Sequence, residues 1–210
     1  MSFISRDIRV SKILLFALLL ISNVSYSQKN IETDVTNVSK VTFFNPGLSY
    51  EARIGRHQTL YGQVFMNTSV SYSYSSNFGS SSTLYIDPAV TIQYRYYYNQ
   101  KRRENAGKRI QMNSLNYVSG IFETVFSKAR VKSSTYDENN RRPINHLGFV
   151  WGLQRNYKKR FSLDLNLGLG YLFAKQTTIN FYNNQTIKEN VGMLTPLGQI
   201  NLGIWLNKIK

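Results

Sequence analysis

Cysteine is absent from this chain of 210 residues, and histidine occurs only twice, at His57 and His146. A chain without cysteine has no disulfide, no catalytic thiol and no thiolate metal site. Two histidines are too few for a multi-histidine metal centre, so neither a metal site nor a cofactor is expected. Proline is also scarce, at 4 residues, and the length suits a single domain.

Acidic residues are scarce too, since 11 Asp and Glu face 26 Lys and Arg for a net charge of +15. An excess of this size is common in proteins that bind nucleic acid or an anionic surface. The chain also holds 15 Tyr and 12 Phe, a mixture typical of β-proteins with aromatic girdles. Composition alone does not distinguish a protein that binds nucleic acid from a β-protein with aromatic girdles, so the distinction depends on the order of the residues.

Long hydrophobic runs are missing with one exception, residues 13–21, which are too few to cross a bilayer as a helix. Three cations precede this run within residues 6–12, and Ser25-Tyr26-Ser27 follows it with small residues at both ends of the tripeptide. The pattern predicts a secretory signal peptide over residues 1–27, cleaved near Ser27 and Gln28. Residues 28–210 then form an exported domain, and that compartment argues against a nucleic-acid partner.

In the exported part, apolar and polar residues alternate with a period of two. Residues 161–173 place Phe, Leu and Tyr side chains on one face and Ser, Asp, Asn and Gly on the other. A helix would scatter these leucines around its circumference, so the pattern predicts β-strands. Seven clear strands and a weaker first one are predicted, at residues 36–44, 48–54, 60–74, 84–98, 118–126, 146–154, 161–173 and 199–206.

The two faces of these strands differ in chemistry. One face carries Gly, Ser, Asn and single charges, which suit a narrow, filled barrel lumen. The other is apolar and nearly free of charge, which suits lipid, whereas a secreted soluble barrel, the alternative, would carry Lys and Glu there. The pattern favours an all-β, antiparallel, up-and-down transmembrane β-barrel of eight strands in the outer membrane. Its aromatic girdle positions are Tyr94, Tyr96, Tyr98, Trp151, Tyr171 and Phe173.

The predicted connections alternate in length, as is typical of such barrels. Residues 55–57 and 157–160 form tight turns at one end, together with an intermediate connection at residues 100–110. Residues 75–82, 131–143 and 175–190 are longer, polar loops at the other end, where they are expected to be extracellular.

Several stretches resemble a known family, among them Asn45-Pro46-Gly47-Leu48-Ser49-Tyr50-Glu51, Tyr94-Arg95-Tyr96-Tyr97-Tyr98-Asn99 and the runs at residues 151–157 and 165–171. They look like small outer-membrane β-barrel proteins of the Bacteroidetes type, similar in architecture to OmpA-like and OmpW-like barrels. The resemblance covers most of the exported chain and implies a signal-bearing outer-membrane barrel. Its motifs are structural and specify no activity.

Four charged residues share the inward face near the tight-turn end of their strands: Glu51, Arg53, Arg95 and Asp164. At about 3.3 Å per residue, they are expected at comparable heights inside the lumen. Because buried charges must be paired, the arrangement predicts an ionic layer that stabilises the barrel. A gate or a proton path is the functional alternative.

A second inward set, Asp87, Glu123 and His146, is predicted nearer the long-loop end. A histidine with a carboxylate and a serine would compose a hydrolase triad, as in barrel enzymes that trim lipid A. No His-x-Ser pair occurs, and inward serines are common in this chain. The pattern therefore favours a structural histidine.

Basic residues cluster at both ends of the predicted barrel. The runs at residues 101–103, 108–109 and 158–160 lie at the tight-turn end, where either solvated charges or contacts with anionic lipid headgroups are expected. A second group flanks the loop at residues 131–143 and has lipopolysaccharide phosphates as its candidate ligand: Lys128, Arg130, Lys132, Arg141 and Arg142.

Together these patterns predict a protein that is not an enzyme and whose long loops carry a structural or surface-binding role. Its expected partners are outer-membrane lipids and lipopolysaccharide, with periplasmic chaperones and the barrel-assembly machinery during biogenesis. A small pore is one alternative function, and a lipid A-modifying hydrolase is another.

Overall fold

Eight antiparallel strands form a closed ring in the computed structural model, which describes residues 34–75, 79–131, 138–180 and 185–207. Each strand pairs with the next along the chain, and β1 pairs with β8 to close the barrel. The predicted eight-stranded up-and-down barrel is confirmed, while the predicted signal peptide lies outside the described residues. The strands are β1 Val38–Phe44, β2 Gly47–Gly55, β3 Gln58–Ser75, β4 Gly79–Tyr97, β5 Asn116–Ser127, β6 Arg142–Asn156, β7 Phe161–Asn180 and β8 Gln185–Trp205.

The strands are strongly staggered around the barrel. Val41 of β1 pairs with Leu48 on one side and with Ile204 on the other. Following the paired residues from Leu48 through β3 to β7 reaches β8 at Gly192, twelve residues before Ile204. A stagger of this size tilts the strands by about 45° from the barrel axis. Inward side chains from different strand positions therefore meet at one height.

The inward and outward faces agree with the predicted parity. On β4, Gln93 and Arg95 are fully buried, while Tyr94 and Tyr96 between and beside them are exposed. The inner face is polar at this level and the outer face is apolar. All six predicted girdle residues point outward and are exposed: Tyr94, Tyr96, Tyr98, Trp151, Tyr171 and Phe173.

The outer face forms an apolar belt, led by Phe149 and Leu194, each 79% exposed. Within the described strands, the outward positions between Arg155 near one end and Lys175 near the other carry no charged side chain. Along β7 the belt runs from Phe161 to Phe173. With the tilt of the strands, this distance corresponds to a height of about 30 Å along the barrel axis.

Two of the three predicted long loops are mostly strand. β3 continues to Ser75 and β4 begins at Gly79, while β7 continues to Asn180 and β8 begins at Gln185. The first residues of β4, the last of β7 and the first of β8 are rich in polar side chains and lack an apolar face, so the alternation fades there although the backbone ladder continues. Both hairpins extend beyond the neighbouring strands as two-stranded arms, which we call the β3–β4 arm and the β7–β8 arm.

The connection from β4 to β5 at residues 98–115, predicted as intermediate, is the longest at the tight-turn end, here called the base. It contains helix α1 (Gln100–Asn105) and a 3-10 turn at Gln111–Asn113. Its last residue, Leu115, is buried in a cluster with Val35 and the two inward tyrosines Tyr97 and Tyr117. The connection is also held at the base by Asn113, whose side-chain amide accepts the backbone N–H of Thr36 (2.7 Å) and donates to the Thr36 backbone oxygen (2.8 Å). Among the described helices, none has the length and apolar character needed to cross a membrane.

Candidate functional site

The centre of the candidate site is an ion pair inside the barrel, between Arg95 on β4 and Asp164 on β7. One guanidinium nitrogen of Arg95 lies 2.8 Å from Asp164 Oδ2, and both side chains are almost fully buried. The same nitrogen donates to Gln154 Oε1 (2.8 Å), and Arg95 Nε donates to Gln93 Oε1 (2.8 Å). The pair therefore spans the lumen and ties β4, β6 and β7 together.

Two aromatic rings flank the same guanidinium. Its carbon lies 3.7 Å from the ring centroid of Tyr61 and 4.3 Å from that of Tyr117. The hydroxyl of Tyr117 donates to Asp164 Oδ1 (2.7 Å). Stacking of a cation on aromatic faces is favourable, especially where water is excluded. Arg95 is thus held by rings as well as by the carboxylate.

Glu51 on β2 forms the second anionic position of this layer and is completely buried. Its Oε1 accepts hydrogen bonds from Thr59 Oγ1 (2.7 Å) and Tyr97 Oη (2.5 Å), and its Oε2 accepts one from Gln154 Nε2 (3.1 Å). Gln154 therefore bridges Glu51 and Arg95. Hydrogen bonds of this kind replace the water that a buried carboxylate loses.

Lys40 of β1 belongs to the layer but escaped the sequence prediction. It is buried, and its Nζ lies 3.6 Å from Asp164 Oδ2. Lys40 alternates with the outward residues of β1 and so shares the inner face with Val38 and Thr42. The alternation of this first strand was too weak for its faces to be assigned from the sequence. With Lys40, two cations face two anions, and the layer is neutral.

Arg53, the remaining predicted member, lies one inward position closer to the base than Glu51 and is only half-buried. Its backbone N–H donates to Asn37 Oδ1 (2.7 Å). The structure thus brings together Glu51, Arg95 and Asp164 in the centre and places Arg53 at the rim.

Apolar side chains fill the lumen on the other side of the ionic layer from the base. Phe65, Ala89 and Val125 form one buried cluster. A second cluster consists of Ile121, Val150 and Leu197. On β3 the inward residue after Gln63 is Phe65, and on β4 the inward residue next to Thr91 is Ala89. The lumen therefore changes from polar to apolar from one inward residue to the next.

The predicted set of Asp87, Glu123 and His146 is only partly assembled. Glu123 and His146 are paired residues of β5 and β6, with Oε1 and Nδ1 3.8 Å apart. Glu123 lies opposite Thr91 of β4, four residues from Asp87. In the ranges that the structure describes, His146 accepts no hydrogen bond from a serine hydroxyl. The three residues do not form the arrangement that a hydrolase triad requires.

Asp87 is instead paired with Arg141, whose Nε lies 3.3 Å from Asp87 Oδ1. Arg142 points back into the protein, where it donates to the backbone oxygens of Ser127 (3.0 Å) and Ala129 (2.9 Å) and to Gln176 Oε1. These two predicted lipopolysaccharide contacts therefore hold the β5–β6 connection in place. Lys128 and Arg130 are exposed, and Lys132 lies outside the described residues.

Glu138 fastens the same connection to β7. Its Oε1 accepts the backbone N–H of Thr177 (2.6 Å), and its Oε2 accepts the Thr177 hydroxyl (3.0 Å). Desolvation would raise the pKa of Glu138, but these hydrogen bonds and the charge of Arg142 hold that pKa below its usual value. Sequence patterns gave no signal for this contact, because it joins residues far apart in the chain.

Comparison with known proteins adds no assignment to this geometry, since no protein-family model, no curated protein and no solved structure matches the chain.

Proposed function

We propose that this chain is an integral outer-membrane β-barrel protein with a closed lumen and a structural or surface-binding role. The observation that carries the proposal is the apolar belt, about 30 Å high, which matches the hydrocarbon thickness that a membrane barrel must cover. A protein surrounded by water would expose Leu and Phe side chains such as Phe149 and Leu194 at a large cost in free energy. Lipid removes that cost.

The filled lumen favours a structural or binding role over transport. The ionic layer around Arg95 and Asp164 and the apolar clusters above it occupy successive levels of the interior. A conducting pore needs a continuous polar path, and a lumen packed with apolar side chains interrupts it. We infer that contacts with other molecules are made at the ends of the barrel, by the two arms and the β5–β6 connection.

Membrane insertion can be tested by tryptophan fluorescence, because the chain has only two tryptophans. Trp151 lies in the belt and is 45% exposed, whereas Trp205 is 1% exposed and donates to the backbone oxygen of Tyr157 (3.0 Å). In vesicles of brominated phospholipid, the variant Trp205→Phe should keep strong quenching of its fluorescence. The matched variant Trp151→Phe should lose most of the quenching. Weak quenching in both, together with solubility in the absence of detergent, would identify a soluble barrel instead.

The absence of cysteine allows a test of orientation. Glu189 is exposed on the β7–β8 arm, and Lys158 is exposed in a turn at the base. In whole cells, a membrane-impermeant maleimide should label Glu189→Cys but label Lys158→Cys only after the outer membrane is opened. Labelling of Lys158→Cys in intact cells would contradict the proposed orientation.

A further inference from the structure

A concave pocket of about 300 Å³ lies at the base, between α1 and the first residues of β5 and last residues of β6. Four cations line it: Arg102 and Arg103 of α1, Lys108 after α1, and Arg155 of β6. No acidic side chain is among its lining residues. Glu104, the one carboxylate of α1, is not part of the wall.

These four cations have no anionic partner within the described part of the chain. Arg103 donates to the backbone oxygen of Arg109 (3.0 Å), and Arg155 donates to that of Leu115 (3.0 Å). These bonds orient the two guanidinium groups without neutralising them, and Arg103 and Arg155 lie near enough to repel each other. An anion in the pocket would relieve this repulsion.

The pocket also adjoins the aromatic end of the belt. Tyr98 forms part of its wall, and the Tyr98 hydroxyl accepts a hydrogen bond from Trp151 Nε1 (2.7 Å). Both rings point outward and are about half exposed. Tyr and Trp side chains of membrane proteins concentrate at the level of the lipid headgroups, so the pocket opens where lipid phosphates are present.

We propose that this pocket binds the phosphate of an anionic phospholipid in the leaflet at the base of the barrel. Guanidinium groups donate charge-assisted hydrogen bonds to phosphate oxygens. Arg102 makes no hydrogen bond through its side chain among the described residues, and Arg103 and Arg155 add positive charge to the pocket wall while they remain bonded to neighbouring oxygens. Lys108 adds a compact positive charge. The inference rests on the proposed membrane location and adds to it one specific lipid site.

The test compares two double variants of the full exported chain in detergent. Arg102→Gln/Lys108→Gln removes two pocket charges, and Lys158→Gln/Lys159→Gln removes two charges from another turn at the base. None of these four exposed side chains makes a hydrogen bond among the described residues, so both variants should fold. Each protein is titrated with short-chain phosphatidylglycerol, short-chain phosphatidylcholine and inorganic phosphate.

The pocket variant should bind phosphatidylglycerol about thirtyfold more weakly than the unaltered protein, since each of the two removed cations contributes about fivefold near an anionic headgroup. The control variant should lose much less affinity, because Lys158 and Lys159 do not line the pocket and exposed charges farther away are screened by salt. Equal losses in the two variants would show a diffuse charge effect and overturn the site. Binding of inorganic phosphate alone, or equal binding of phosphatidylcholine, would overturn the assignment to an anionic lipid.

The tryptophan quenching experiment separates this inference from the proposed function. If Trp151 is quenched by brominated lipid but phosphatidylglycerol does not bind the pocket, only the lipid site fails. If Trp151 is not quenched, the membrane location fails and the lipid site fails with it.

Discussion

Arg95 and Asp164 form an ion pair of 2.8 Å across the lumen, from β4 to β7, and both side chains are almost fully buried. A buried pair of this kind contributes less than its short distance suggests, because each charge lost its hydration on folding. Its removal is nevertheless costly when one partner remains. The ionic layer therefore makes sharp predictions about stability.

Asp164→Asn should destabilise the barrel by about 3–5 kcal/mol, because Arg95 and Lys40 would remain buried without their shared carboxylate. The measurement is the temperature at which the folded band disappears in a heat-modifiable gel shift, with urea unfolding in detergent for the free energy. Glu189→Gln, on the exposed end of β8, serves as the control and should stay within about 0.5 kcal/mol. Similar effects from both changes would refute a dry, paired site at Asp164.

Lys40→Met should destabilise the barrel less than Asp164→Asn, since Asp164 keeps Arg95 as a partner. The double variant Lys40→Met/Asp164→Asn leaves Arg95 and Glu51 as one cation and one anion. Its loss of stability should therefore be smaller than the sum of the two single losses, by about 1–3 kcal/mol. Strict additivity in urea unfolding would show that Lys40 and Asp164 do not interact.

Gly152→Ala should destabilise the barrel by about 1–3 kcal/mol. A methyl group at Gly152 would overlap the ring of Tyr117, which donates its hydroxyl to Asp164 (2.7 Å). Gly120→Ala is the matched control, because its methyl would meet only a ring carbon of Phe149 at 3.9 Å. Urea unfolding of the two variants checks the difference, and an equal effect would mean that Tyr117 has room to move.

Acidification should release the β5–β6 connection from β7. Because the folded-state pKa of Glu138 lies below its usual value, its contribution is present above the unfolded pKa and is lost as the pH falls through the folded pKa. Hydrogen exchange of the Thr177 amide, which donates to Glu138, should rise as the pH falls below about 4.3, the usual pKa of a glutamate, after correction for intrinsic rates. Glu138→Gln should remove this pH dependence, and its persistence in the variant would assign the titration to another group.

The strand pattern was readable because a side-chain period of two leaves its mark on every residue of a half-apolar strand. β7 is the clearest case, with its leucines on the outer face and Asp164 on the inner one. The same signal followed β3 almost to its end but failed at the start of β4, the end of β7 and the start of β8. The polar residues there give the strand no apolar face, and hydrated strands need none. It also failed for the base connection, whose Leu115 is buried by contacts distant in the chain.

The candidate site also contains residues that the sequence predicted and residues that it did not. Parity alone placed Glu51, Arg95 and Asp164 on the inner face, and the requirement that buried charges be paired made a common layer the expected outcome. Parity did not reveal that Lys40 completes the layer or that Asp87 pairs with Arg141 rather than with Glu123 and His146. The height of an inward side chain along the barrel axis depends on the stagger between neighbouring strands, and the sequence of a single strand contains no information about that stagger.

The sequence by itself determined the number of strands, the apolar and polar faces of their central parts and the up-and-down antiparallel order, because these follow from local periodicity and from connections between neighbours in the chain. Only the tertiary structure decided which inward residues meet. The twelve-residue stagger sets the tilt, the tilt brings Lys40, Glu51, Arg95 and Asp164 to one level, and the fold-back of residues 98–115 gathers the cations of the base pocket. The stagger and the contacts that it creates are properties of the closed ring, because they are fixed only when β8 pairs with β1.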